Sequence, residues 1–402
     1  MATRRRSKTA AAPASRKKSK RATAPVAATM PSADGRAPAR PALGQIRERI
    51  DAIDASLHEL INQRARLAQQ VGISKHAAGH TVDFYRPERE SQVLRMAIER
   101  NRRERGPLAD EEVVRLFREI MSACLAQQEP LKVAFLGPEG TFTQQAVYKH
   151  FGHSVRALPL SSIEEVFREV ESGAADLGVV PIENSSEGTV NNTLDMFLTS
   201  PIGICGEVEL RIHHNLMGRM KALGDVARIC AHPQALAQCR GWLAEHLQGV
   251  ERVPVASNAE GARRARDEQG TAAIASAAAA EVYGLDVLVP EIEDRPDNTT
   301  RFLVIGRQGF PPSGQDKTTL LVSAAHTDSP GALFGLLEPL ARHKISMTRI
   351  ESRPSRRRKW DYVFFIDLDG HAQAEPLATA LAELRSRASL CRVLGAYPKA
   401  VL

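Results

Sequence analysis

The chain has 402 residues, of which 43% are hydrophobic, 25% charged and 5% aromatic, with a formal net charge of +7. That length leaves room for two to four domains, and an ordinary apolar fraction with no bilayer-length apolar window excludes a protein built on membrane-spanning helices. Cys124, Cys205, Cys230, Cys239 and Cys391 are scattered without a CxxC pair. This argues against a disulfide framework or a thiolate metal site and for a reducing compartment, the cytoplasm.

The positive charge is local. Residues 1–42 hold 11 Lys/Arg and one acid, while the remainder carries 43 basic and 46 acidic residues, a net of −3. Alanine, proline, serine and basic residues without apolar periodicity cannot bury enough surface to offset their ordering entropy, so 1–42 is expected to be disordered. A solvated extension, non-specific contact with nucleic acid or an anionic surface, and an organelle transit peptide are the readings of this tail, and translation from Met30 is another option.

From Leu43 the pattern becomes helical. Leu43, Ile46, Ile50, Ile53, Leu57, Leu60, Arg64, Leu67 and Val71 step alternately by three and four, a coiled-coil-like seam about eight turns long that contains one guanidinium. Two further helical stretches carry polar groups on their apolar stripes: Glu90, with Arg89 beside it, leads Val93, Leu94, Ala97 and Ile98, and Gln127 follows Val113, Phe117, Ile120 and Cys124. Each is explicable as a structural contact, but Arg64, Glu90 and Gln127 on three inward faces suggest an anion site inside a helix bundle.

The segments IRERIDAIDASLHELINQRARLA, PERESQVL and FREIMSACLAQQ, with Lys75 between the first two, resemble the all-helical chorismate mutases. The resemblance implies an all-α domain over 43–129 in which two chains interlock and each site borrows an arginine. It makes Arg47 the borrowed arginine, sets Arg64 and Arg89 on carboxylates, Lys75 and Gln127 on the ether oxygen, and Glu90 on the ring hydroxyl. Ala123, where a serine is common, and Arg86, at a position that can be acidic, complete the chorismate-lining set. The chemistry suits these residue types. A Claisen rearrangement needs no proton transfer, only a dianion held compact and donors on the oxygen that gains charge.

After Pro130 the chain reads as alternating strands and helices. Lys132–Leu136 is a strand followed by a Gly137–Gly140 turn, and Leu177–Val180 runs into a polar loop and a helix at 189–198. Strands at 228–231, 252–255 and 272–275 alternate with helices at 233–247, 257–268 and 276–283, which predicts parallel sheets in one large block or two lobes over 131–308. Asp294-Arg-Pro-Asp-Asn-Thr-Thr-Arg-Phe302 is a polar turn before the apolar run Phe302–Ile305, setting Thr300 and Arg301 at the mouth of a sheet.

GPEGTFT, VVPIENSSEGTVNNTLD, HHNL, HPQALAQCRGWL, SNAEGARRA and NTTRF, in that order, resemble prephenate dehydratase. The resemblance implies a hinged two-lobe α/β fold similar to type II periplasmic binding proteins, with prephenate in the cleft and Thr300 as the essential residue. Thr141, Thr143, Asn184, Ser185 and Arg301 are the expected prephenate donors. His213, His214 and His232 are candidate acids for which structural roles are equally available, and no metal site is expected from them.

Residues 316–402 read as βαββαβ, a ferredoxin-like α+β plan. Ser329-Pro-Gly-Ala-Leu333 and Glu351-Ser-Arg-Pro354 resemble the two phenylalanine-binding motifs of ACT domains. This implies an allosteric site for L-phenylalanine at Gly331, Ala332, Leu333, Glu351, Ser352, Arg353 and Pro354, in a homodimer or higher homo-oligomer. Arg356–Lys359 reads as a solvated hairpin turn. The expectation is a multidomain enzyme without metal or organic cofactor. The competing reading is a non-catalytic two-lobe small-molecule sensor.

Overall fold

The computed structural model describes residues 43–77, 85–324, 330–355 and 361–402, with side chains in the first segment described to residue 74. The basic tail, the Lys75 side chain, Ser329 and the run Arg356–Lys359 lie outside the described residues.

Three helices come first: α1 (Leu43–Ala77), α2 (Pro87–Glu104) and α3 (Asp110–Ala126). Pro87 opens α2 where a missing amide hydrogen costs nothing, and Glu88 and Glu90 in the first turn complement the helix dipole. Asp110, Glu111 and Glu112 do the same for α3. Leu94, Ile98 and Val114 close a small core between α2 and α3. Along the seam of α1, Ile50, Leu57 and Leu60 are 50%, 49% and 59% exposed.

The central region contains β1 (Lys132–Leu136), α4 (Phe142–Phe151), β2 (Arg156–Leu160), α5 (Ile163–Ser172), β3 (Leu177–Asn184), β4 (Gly188–Thr189), α6 (Asn191–Thr199) and β5 (Gly203–Arg211). It continues through β6 (Asn215–Gly218), β7 (Arg228–Ala231), α7 (Pro233–Gln238), α8 (Arg240–His246), β8 (Glu251–Pro254), α9 (Asn258–Asp267), β9 (Thr271–Ala275), α10 (Ala277–Tyr283) and β10 (Asp286–Val289), then returns by β11 (Thr299–Gly306). Side-chain oxygens of Thr141, Ser162, Ser257 and Ser276 accept from backbone amides three residues on and fix the starts of α4, α5, α9 and α10. The helix expected at 233–247 is broken at Cys239, whose φ of −108° and ψ of 13° separate α7 from α8.

These strands form two sheets, one per lobe. The first has the order β2-β1-β3-β11-β5 with β4 on β3, and the second β10-β6-β9-β7-β8. The expected parallel sheets are in fact mixed. β1 is parallel to β2 and β3, but β11 runs antiparallel to both β3 and β5, and β6 antiparallel to β9 and β10. The reason is connectivity: the chain leaves the first lobe after β5 and returns through β11, so each sheet holds strands entering from the other lobe. The two crossings lie side by side, with Ile212 N donating to Asn298 O at 2.8 Å and Ile292 N to His214 O at 2.8 Å.

The C-terminal region is β12 (Asp316–Ala324), α11 (Ala332–Arg342), β13 (Met347–Pro354), β14 (Tyr362–Asp369), α12 (Leu377–Arg387) and β15 (Ala388–Pro398), in the sheet order β13-β14-β12-β15. Its Leu320, Val322, Ile366 and Leu368 pack beneath α11 and α12. The other face of this sheet joins the first lobe in one core, where Leu321, Phe365, Leu394 and Tyr397 meet Val180, Phe197 and Leu303. Gly395 makes that approach possible, because a Cβ there would lie 2.1 Å from Ile204 O. The obstacle is backbone and cannot rotate away, so Gly395→Ala should cost about 1–3 kcal/mol by overpacking. Thermal denaturation showing an unchanged midpoint would contradict this account of the junction.

Candidate functional site

β11 begins at the hinge, and its first residues set the polar chemistry of the cleft. Thr300 is paired in register with Asn184 of β3. The Asn184 amide nitrogen donates to Thr300 Oγ1 at 2.8 Å and to Asn298 Oδ1 at 2.9 Å. Asn184 Oδ1 is occupied in turn, accepting from the amides of Ser186 and Glu187 at 2.9 and 3.1 Å, so the carboxamide cannot flip without losing four contacts. Because Thr300 Oγ1 accepts from Asn184, its own hydroxyl proton is left for another acceptor. Ser185 is engaged with the neighbouring threonine: its Oγ accepts from Thr299 N at 3.0 Å.

The network continues into the second lobe. Asn298, 3% exposed, donates to Gln238 Oε1 at 3.2 Å, and His214 Nε2 lies 2.7 Å from the same oxygen. A carboxamide oxygen only accepts, so His214 carries its proton on Nε2. Burial lowers the His214 pKa, which keeps the ring neutral and a poor proton donor. Phe142 at the start of α4 packs edge-on against this ring at 5.5 Å. Gln238 Nε2 is buried without a hydrogen-bond partner among the described residues. Asn298 and Gln238 were not assigned roles from the sequence. Gln238 sits within HPQALAQ as one glutamine of two, and nothing in helical spacing distinguishes it until α7 is docked against the hinge.

Thr141 is the N-cap of α4, accepting from Gln144 N at 3.4 Å and donating to Leu136 O at 3.2 Å. Thr143, in the first turn of the helix, is buried. The adjoining turn is pinned to the second lobe, since Ser276 Oγ donates to Gly140 O at 2.8 Å and Tyr283 Oη to Glu139 O at 3.0 Å. His213 Nδ1 lies 2.8 Å from Glu293 Oε1 and 3.7 Å from Glu291. His232 caps α7, its Nδ1 accepting from Gln234 N at 3.3 Å, a structural role.

Arg301 is placed differently from the expectation that it faces a bound substrate. Side chains alternate along a strand, so its guanidinium leaves the sheet opposite to Thr300. It donates to Glu207 at 2.8 Å, to Asp367 at 2.6 Å and to Tyr397 Oη at 3.1 Å, all within the junction with the C-terminal sheet. Burial disfavours the charge on this guanidinium, but Asp367 and Glu207 outweigh it and hold its pKa above the ordinary value.

In the helical region the described members of the expected set differ in exposure. Arg47, Arg64, Arg86, Arg89, Ala123 and Gln127 are exposed, and Glu90 is the member that turns inward. Glu90 meets Arg118 at 3.8 Å, a residue on α3 absent from the expected set because its own stripe was read only through apolar positions. Burial pushes the Glu90 carboxyl up to about 7, with Arg118 opposing. Beside them Tyr85 Oη lies 2.7 Å from His150 Nε2. Burial holds His150 down to about 3 and the Tyr85 hydroxyl well above its usual range, so the tyrosine donates to a neutral ring. In the C-terminal region, Gly331 has φ of 79°, the left-handed conformation glycine tolerates, and opens α11 with Ala332 and Leu333. Glu351, Ser352, Arg353 and Pro354 lie on the edge strand β13.

Comparison with known proteins separates the same three regions. Residues 46–129 match the type II chorismate mutase family, 133–309 the prephenate dehydratase family and 318–386 the ACT domain family. A bifunctional chorismate mutase/prephenate dehydratase from Stutzerimonas stutzeri is 54% identical over 364 residues, covering 90% of this chain and 98% of that protein. Among solved structures, prephenate dehydratase from Arthrobacter aurescens in complex with L-Phe is 38% identical, with a TM-score of 0.62 over 67% of this chain and 90% of that one. GqqA, described as a novel type of quorum quenching acylase, gives the same TM-score at 34% identity over 67% of this chain and 98% of its own.

The Glu90 environment has a measurable consequence. A carboxyl raised from 4.5 to about 7 binds more protons in the folded than in the unfolded chain, so its contribution to stability is full below 4.5 and is lost as pH rises to about 7. Glu90→Gln removes that titration. Denaturant unfolding across this window should show the wild type losing stability relative to the variant, and a constant difference would refute the buried-carboxyl assignment.

Proposed function

The chain belongs to the family of bifunctional chorismate mutase/prephenate dehydratases, and from that premise we propose how its residues divide the two reactions and their control. The helical region rearranges chorismate to prephenate. The two-lobe region removes carbon dioxide and hydroxide from prephenate to give phenylpyruvate, and the ACT region subjects this to feedback by L-phenylalanine.

For the dehydratase, the observation that carries the reading is the 2.8 Å hydrogen bond from Asn184 to Thr300 Oγ1. It orients the threonine so that its proton serves the departing ring hydroxyl, while aromatisation drives loss of the carboxylate. Thr141, Thr143 and Ser185 are the further prephenate donors. The unpartnered Nε2 of Gln238 supports adding that carboxamide to the set. Arg301 does not bind prephenate in this reading.

For the mutase, Arg64 and Arg89 hold the two carboxylates, Lys75 and Gln127 stabilise the ether oxygen, and Glu90 meets the ring hydroxyl, with Arg86 and Ala123 at the margin. The exposed seam of α1 supports a homodimer in which a second copy covers the stripe and contributes Arg47. A reducing, cytoplasmic setting completes the reading. No described helix is long and apolar enough to cross a membrane.

Thr300→Ala should lower conversion of prephenate to phenylpyruvate by at least ~10²-fold, the scale of losing one transition-state donor, and leave chorismate consumption intact. Arg64→Ala should give the converse pattern. Absorbance assays of both steps on the same preparations decide it, and a sensor without turnover would yield no product from either substrate. Gly331→Ala, strained by its positive φ, should weaken inhibition by phenylalanine; kinetics that keep the wild-type response would remove Gly331 from the effector site.

A further inference from the structure

Thr300 and Asn184 each have a strand neighbour facing the opposite way. Arg301 follows Thr300 and is paired in register with Glu183, which precedes Asn184. Both neighbours are engaged by the C-terminal sheet. Arg301 reaches Asp367 of β14 at 2.6 Å and Tyr397 of β15 at 3.1 Å, and Asp367 is itself held by Thr319 Oγ1 at 2.7 Å. Arg349 of β13 lies 2.9 Å from Glu183 and donates to Thr189 Oγ1 of β4 at 3.0 Å. The side chains of Arg301 and Asp367 are 13% and 3% exposed, a desolvated pair, whereas Arg349 is 11% exposed against a Glu183 carboxylate that is 40% exposed, a half-buried one. Removing a partner from either leaves an enclosed guanidinium with fewer compensating contacts, and the strands that carry the pair must adjust.

We propose that Arg301 and Arg349 are positioning residues for dehydration: they clamp β11 and β3 to the regulatory sheet in the register that forms the Asn184–Thr300 hydrogen bond. Effector control of the dehydratase passes through this clamp. β13 carries both Arg349 and the Glu351–Pro354 motif, and Glu351 accepts from the same Thr189 hydroxyl at 3.0 Å while Arg353 pairs with Asp195 of α6 at 2.7 Å. A ligand that shifts β13 therefore acts on the two strands bearing the reactive pair without touching the cleft. The inference rests on the assignment of Asn184 and Thr300 to the prephenate site.

The test uses the full-length protein with Tyr397→Phe and Arg349→Met, and Arg349→Lys as the conservative control. Mutase activity in each preparation reports on folding. The expected result is unchanged mutase activity, prephenate KM within about twofold of wild type, dehydratase kcat reduced about fivefold or more, and a similar shift in the half-inhibitory phenylalanine concentration. Arg349→Lys should recover part of both effects. Wild-type kcat and wild-type phenylalanine response in Tyr397→Phe and Arg349→Met would overturn the proposal, as would a rise in KM alone, which would mean the seam contacts substrate. Loss of mutase activity together with dehydratase activity would reduce the seam to a folding element and overturn it equally. Thr300→Ala, measured alongside, keeps this failure distinct from failure of the site assignment: an inactive Thr300→Ala with normal seam variants rejects the clamp alone.

Discussion

Antiparallel pairing of β11 between β3 and β5 is the constraint on which the rest of the dehydratase region depends. β11 is the strand by which the chain returns from the second lobe, and its register against β3 sets Thr300 opposite Asn184. The pairing is fixed by burial, since Phe302, Leu303, Val304 and Ile305 are all within the core. Phe302 and Val304 face one core and Leu303 and Ile305 the other, so a slip of one residue would exchange the two sets between cores. A register shift between Arg301 and Phe302 then sets the Thr300 pairing, just upstream of these apolar residues.

The same strand explains why the regulatory region is built against the first lobe and not the second. One face of the first-lobe sheet shares a continuous core with the C-terminal sheet, and Arg301, Glu207, Lys317 and Asp367 lie within that seam. Charges so enclosed are tolerated because each has an opposite partner and additional hydrogen bonds. Such an arrangement adds little net stability over an apolar seam, yet it gives the contact a unique geometry. That property suits a contact expected to hold the two sheets in one relative position or release them.

The helical region follows another logic. α1 carries a long apolar stripe, and its own chain leaves residues such as Leu60 and Leu67 more than half exposed. Among the described residues expected to bind chorismate, the arginines are exposed. Glu90 is the exception: it turns towards Arg118 at 3.8 Å, and burial raises its carboxyl to about 7.

Apolar spacing and turn chemistry determined a helical region, a region of alternating strands and helices, a βαββαβ plan and the position of Thr300 at the head of a buried strand, while the two-lobe division was implied by the resemblance to prephenate dehydratase. Tertiary structure decided what spacing cannot express. The mixed direction of the sheets arises from two hinge crossings between distant parts of the chain. Asn298 and Gln238 became part of the polar network only when α7 met the hinge. Arg301 lies in the seam because alternation along β11 sends it to the opposite face from Thr300, and only the packing of the C-terminal sheet says what waits there.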